Sequence, residues 1–178
     1  YLGDSSEFAG VVQTLGIPHP PGYPSYVLLA KIFTFLPFGS QEFQIGLFSA
    51  FAASLSLVIF YYLFLEIIRV ILGKKDNIVY FLSSISALLL AFSDMFWSQA
   101  IMVKVYSLLF LFFTIILFLL IKFWQTKKSS FLIWALFFLG FGVGVHYIIL
   151  LFFPLLIMVA VLAYKDKIFT KNFLKIQI

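Results

Sequence analysis

The chain has no cysteine, which excludes disulfides and thiolate metal sites within it. Charge is nearly as scarce. Only 11% of the 178 residues are charged, against about 25% in an ordinary soluble domain. Histidine occurs twice, and residues 1–22 lack the basic start and continuous apolar core of a signal peptide. What fills the space is apolar: 63% of residues, including 25 Phe. A soluble fold of this length cannot hide so much apolar surface, since a monomer rarely exposes a contiguous patch above a few hundred Å². The surplus must face lipid, so the chain reads as an all-α, polytopic transmembrane helix bundle. Tyr1 is not an initiator Met and the chain ends Lys175-Ile176-Gln177-Ile178. It is therefore read as a fragment with at least one helix upstream.

Three regions follow from the pattern. Residues 1–40 read as an outer loop with short interfacial helices, residues 41–164 as the bundle, and residues 165–178 as a basic cytoplasmic segment. About 20 apolar residues suffice to cross the hydrocarbon. Five spans are expected on that measure, at 41–72, 78–93, 105–124, 131–145 and 147–164, with Asp94 to Lys104 as a polar-aromatic loop. The stretch from Phe131 to Tyr164 is too long for one helix. It divides at Gly140, Gly142, Gly144 and His146.

The net charge of +5 invites a nucleic-acid reading, but its distribution is a topology signal. If the Lys74-Lys75 loop is cytoplasmic, 10 of the 12 basic residues fall on that side, leaving Lys31 and Lys104 outside. The same threading puts Asp4, Glu7, His19, Glu42, Asp94, Lys104 and His146 on or near the outer face. Any chemistry belongs there.

Within the outer loop, Phe8, Val11, Val12 and Leu15 recur at helical spacing, so Ser5 to Gly16 is expected as an amphipathic helix capped by Ser5 or Ser6. Ile17 to Pro24 is a stiff Pro-rich turn. Ser25 to Leu36 carries Lys31 and is too short to span, which suits a helix lying in the interface. Asp4 and Glu7 share one helix face near the positive end of the helix dipole. Capping is the plainer reading of that pair; acid–base chemistry is the sharper one. His19 and His146 are equally at home as structural residues at helix breaks. Two histidines and two carboxylates leave a divalent metal open by residue type, although no metal ligand set is assigned and no cofactor is expected. Aromatic residues around Lys104 fit an interfacial belt, but Lys104 itself sits where the positive-inside rule disfavours it. An anionic lipid phosphate would offset that cost.

Four blocks carry a family resemblance: Asp4-Ser5-Ser6-Glu7-Phe8; Thr14 to Pro24 with His19-Pro20-Pro21-Gly22-Tyr23-Pro24; Phe96 to Ala100 with Val105-Tyr106; and Gly140 to His146. In this order they resemble the N-terminal membrane region of the protein O-mannosyltransferase-like glycosyltransferases of the GT-C superfamily. The resemblance implies a GT-C-type bundle that takes a sugar, typically mannose, from a polyprenyl-phosphate donor. The sugar passes to a protein or other hydroxyl acceptor at the extracytoplasmic face of a bacterial plasma membrane or endoplasmic reticulum. It assigns the catalytic acid–base role to Asp4 with Glu7 as partner. His19, Tyr23, Lys104, Tyr106 and His146 are then the candidates for holding the lipid phosphate and substrate. Members of the family often carry Glu where this chain has Lys104, so no second acidic role is carried over. Two rival classes remain at this level. A transporter or flippase for a lipid-linked or small anionic substrate would place ionisable residues at mid-membrane, and a noncatalytic scaffold would leave the rigid Pro-rich turn unexplained.

Overall fold

The computed structural model describes residues 4–73 and 75–168, with side chains described as far as residue 164. The described residues form helices and connecting turns, without strands. Eight helices follow in order: α1 (Asp4–Thr14), α2 (Pro24–Phe33), α3 (Gln41–Leu72), α4 (Asn77–Ala91), α5 (Asp94–Ile101), α6 (Tyr106–Thr126), α7 (Ser129–Val143) and α8 (Phe152–Ile168), with a 3-10 turn at Tyr147–Leu151 before α8. The protein is an all-α membrane helix bundle. Most of the basic segment 165–178 lies outside the described residues.

Among the described residues three segments are long and apolar enough to cross a bilayer: α3, α6 and Tyr147–Tyr164. At 1.5 Å per residue α3 is about 48 Å long, well beyond the roughly 30 Å of hydrocarbon. Ser40 caps its start by accepting the Phe43 N–H at 3.3 Å, and Gly73 ends it at φ 63°, a left-handed geometry that glycine takes without steric cost. Half of the most apolar stretch of α6 is buried, against 17% for α3 and 11% for Tyr147–Tyr164. Thus α6 is the central helix, and the others leave much of their surface uncovered by the described residues.

Its longest partner is α3. Along α3, Ser49, Ala52, Ala53 and Ser56 are all buried at helical spacing, and such small residues let helix backbones approach closely. Their hydroxyls do not stay unmet. Ser56 Oγ donates to the Ala53 carbonyl at 2.7 Å, and on α6 Thr114 Oγ1 donates to Leu111 at 2.8 Å.

Two expectations change in the outer segments. Asp94 to Lys104 is not a loop throughout, because Asp94–Ile101 is helical and bends 62° from α4. The bend has a local cause. Ser93 is extended, and its hydroxyl donates back to the Leu90 carbonyl at 2.8 Å instead of capping α5. The pair α4 and α5 is apolar enough for a broken span or a re-entrant segment. Helix α7, with 15 residues, is only about 22 Å long. The first helix begins at Asp4 and stops at Thr14, leaving Leu15 half exposed at φ 53°. The Gly16 N–H reaches back to the Val11 carbonyl at 3.0 Å, which closes the helix end with Leu15 in the left-handed position.

The segment read as an outer loop is not a loose appendage. Phe8, Ala9 and Val12 of α1 and Tyr26, Val27 and Ala30 of α2 are buried in the same core as α3, α6 and α7. Lys31 Nζ on α2 donates to the Gln13 carbonyl at the end of α1. The start of α2 then docks on the end of α7: Ser25 N–H donates to the Gly144 carbonyl at 2.9 Å and Ser25 Oγ to Phe141 at 2.7 Å. Gly144 is required there, since a Cβ would overlap the Ser25 hydroxyl.

Candidate functional site

The seven candidate residues gather at one end of the bundle, where the start of α1, the Pro-rich turn, the approach to α6 and the glycine break after α7 meet. Asp4 and Glu7 stand one turn apart on α1, and Phe8 lies on the same face one turn beyond Asp4. Phe8 is buried, and its ring meets His19, Tyr23 and Tyr26 edge-on at 5.9, 5.3 and 5.2 Å.

Glu7 turns to His19 rather than to Asp4. One carboxylate oxygen accepts the His19 backbone N–H at 2.7 Å and the other meets His19 Nδ1 at 2.8 Å. The side-chain hydrogen bond to His19, reinforced by the backbone one, holds the Glu7 carboxyl below its usual range. An ionised carboxylate only accepts, so His19 Nδ1 is the donor. Its Nε2 is left to receive the Tyr23 hydroxyl at 3.3 Å when the imidazole is neutral. Glu7, His19 and Tyr23 therefore form one directed chain. Tyr23 is buried, and burial followed by the nearby Tyr106 and Asp4 pushes its hydroxyl pKa up, so it remains a donor. Tyr23 takes φ 44° as it caps α2, with Pro24 supplying the first turn.

His146 stands on the far side of Tyr23, with ring centres 5.9 Å apart. Its backbone is extended after the glycine break, and Nδ1 accepts the Ile148 N–H at 3.2 Å to start the 3-10 turn. An accepting Nδ1 carries no proton, so His146 is neutral with Nε2–H as its donor. Burial also depresses its pKa, which favours the same form. The ring stacks on Tyr147 at 4.8 Å and lies 6.3 Å from Tyr106.

Lys104 closes the constellation. Val103 and Val105 on either side are buried, and the ammonium between them points out to 3.9 Å from Asp4 Oδ2. The segment is pinned behind it, where Ser107 Oγ donates to the Gln99 carbonyl at 2.8 Å. Asp4 is the freest carboxylate of the set, with its side chain 56% exposed. Beside Tyr106, a cavity of about 300 Å³ opens between α4, α5 and α6, walled by apolar side chains such as Leu90, Phe96 and Phe113. Among the described residues no group of three or more His, Cys, Asp or Glu is placed to hold a metal ion.

Two residues of the cluster were not among the site candidates. Tyr147 adjoins His146 in sequence and is its stacking partner, and Phe8 shares the Asp4 face. Both signals were visible as spacing, but neither marks an aromatic residue apart from the many others.

Bundle and cluster together define a polytopic membrane protein with ionisable and aromatic side chains gathered at one end of its helices. Residues 4–169 match the family described as Protein O-mannosyl-transferase TMEM260 N-terminal domain, and the chain belongs to that family. It is 33% identical over 133 residues to a mouse protein named Protein O-mannosyl-transferase TMEM260, covering 72% of this chain and 17% of the relative. A Dictyostelium discoideum protein of the same name is 27% identical over 132 residues, covering 72% of this chain and 15% of the relative. The chain thus spans about a sixth of the length of these relatives. No solved structure matches it.

Proposed function

We propose that this region forms the catalytic outer end of a transferase that moves a sugar, typically mannose, from a polyprenyl-phosphate donor to a hydroxyl of a protein acceptor. The observation that carries the reading is the Asp4 carboxylate beside the Lys104 ammonium, 3.9 Å apart at the edge of the His19–Tyr23–His146 cluster. In this scheme Asp4 accepts the acceptor hydroxyl's proton as its oxygen bonds to the sugar's anomeric carbon. The bond from that carbon to the phosphate oxygen breaks, and the lipid phosphate leaves with the electron pair. A carboxylate base contributes roughly 10²–10⁴-fold to such a step. Lys104 and the Nε2–H of His146 stand where a phosphate leaving group gains from positive charge and fixed donors. Glu7 acts at one remove, by orienting His19. The donor is a substrate, and the scheme uses no further cofactor.

The family name of the relatives supports the reaction class, and the lysine-rich loops at the other end support an extracytoplasmic site. A transporter is less well served. Helix α3 carries no charged residue between Glu42 and Glu66, and α6 none before Lys122, so the mid-membrane zone of both long helices is uncharged. The test is transfer of labelled mannose from polyprenyl phosphate by the full-length protein in membranes. Asp4→Asn is expected to lower turnover by about 10²-fold or more; full activity in that variant would remove Asp4 as the base.

A further inference from the structure

A second cluster of charge lies at the opposite end of the bundle. Glu66 of α3 accepts from Arg69 Nη1 at 3.2 Å, from Lys122 Nζ of α6 at 3.3 Å and from Gln125 Nε2 at 3.0 Å. Arg69 Nη2 also reaches the Tyr80 hydroxyl of α4 at 3.2 Å. Lys122 is 16 residues beyond Tyr106 on α6, about 24 Å along the helix axis. The two clusters therefore lie at opposite ends of the long helices.

The inner cluster is not closed on itself. A cavity of about 390 Å³ opens at it, lined by Glu66, Arg69, Val70, Lys75, Lys122 and Gln125. The cavity thus has three cations and one carboxylate in its lining. Glu66 is shared between Arg69 and Lys122, while Lys75 has no ionic partner among the described residues. Arg69 Nε is buried without any hydrogen-bond acceptor. Two unbalanced charges around an open cavity call for an anion with several acceptor oxygens.

We infer that this cavity binds the phosphate headgroup of an anionic phospholipid. A phosphate supplies acceptors to the Arg69 guanidinium, Lys75 and Lys122 together, where a monovalent halide supplies one point of charge. Depth favours a lipid as its carrier. The cavity sits at the ends of two spanning helices, at the level of the Trp124 ring that Lys127 Nζ covers at 4.2 Å. Indole rings favour the headgroup layer, and basic pockets between helices at that depth attract anionic headgroups. Glu66 holds Arg69 and Lys122 in place and competes with the phosphate for them. This site is independent of the transferase reading, since none of its residues contacts the outer cluster.

The experiment reconstitutes the full-length protein in nanodiscs of mixed phosphatidylcholine and phosphatidic acid and measures retained lipid by native mass spectrometry. Wild type is expected to retain phosphatidic acid above its share of the mixture. Lys75→Gln leaves the Glu66 bonds intact and is expected to cut that enrichment about fivefold, in line with one cation near the surface. Glu66→Gln is expected to raise it by freeing two cations. Equal enrichment in wild type and Lys75→Gln overturns the site, whatever the folding of the Glu66 variant. Binding of inorganic phosphate in pure phosphatidylcholine discs, with no lipid enrichment in mixed ones, overturns the lipid assignment in favour of a soluble anion.

Discussion

Lys104 Nζ lies 3.9 Å from Asp4 Oδ2, joining the approach to α6 to the first turn of α1. Both side chains are partly exposed, at 27% and 56%, so the pair adds only about 0–1 kcal/mol to stability. In the proposed reaction its weight falls on chemistry instead. There the lysine puts a cation beside the base, where the charge of a departing phosphate would gain from it.

Lys104→Met is therefore expected to lower turnover by about 10²-fold while moving the melting temperature little. Lys104→Arg keeps the charge and should restore part of the rate. Mannose transfer by the full-length protein, read beside thermal unfolding, separates the two effects. Loss of stability with unchanged turnover per folded molecule would make Lys104 a structural tie.

Glu7 predicts a pH dependence of folding. Its carboxyl titrates lower in the folded chain than the ordinary value of 4.5 because of its bonds to His19. The stabilisation is therefore full above pH 4.5 and disappears as pH falls through the lower folded value. Glu7→Gln removes the charge-assisted bonds. Thermal melts between pH 7 and pH 3.5 should show the wild-type advantage over Glu7→Gln narrowing below pH 4.5. A gap that stays constant across that range would show that the bonds carry no such linkage.

Membrane class was legible because composition alone forces lipid exposure, and the gathering of polar residues at one end was legible because ionisable side chains avoid the hydrocarbon. Pairing within that end was not. Glu7 and Asp4 share a face, which suggested a partnership, but the Pro-rich turn folds back and brings His19 onto Glu7. Asp94–Ile101 was read as a loop because eight residues rich in aromatics carry little periodicity. The buried small residues of α3 gave no signal either, since Ser and Ala are common in any spanning helix. The Glu66–Lys122 contact needs α3 packed on α6 before it exists. Such long-range contacts carry no local pattern.

Gly144 links the glycine break to the site. A Cβ there meets the Ser25 hydroxyl, so Gly144→Ala should push α2 off the end of α7 and cost about 1–3 kcal/mol. Ser25→Ala alone loses the bond to Phe141, about 0.5–1.5 kcal/mol. Because the second change removes the obstructing oxygen, the double variant should be less destabilised than the sum. Strict additivity in thermal or denaturant unfolding would mean that the two positions do not touch.

His146 yields the sharpest statement about protonation. Its Nδ1 accepts the Ile148 N–H, and burial lowers its pKa from 6.5. Protonation turns Nδ1 into a donor facing another donor, so the charged form cannot keep the turn. The unfolded chain consequently binds the proton more readily, and stability is full above pH 6.5 and declines as pH falls from there toward the lower folded value. Nitrogen spectra of ¹⁵N-histidine protein in bilayers should show His146 as the Nε2–H tautomer at pH 7, still neutral at pH 6.5. An Nδ1–H tautomer at pH 7 would break the capping geometry and remove the donor that His146 offers to a phosphate. His146→Asn tests the two roles separately. An asparagine oxygen can still cap the turn, so the variant should keep most of its stability while losing the ring between Tyr106, Tyr147 and Tyr23, and with it transferase activity.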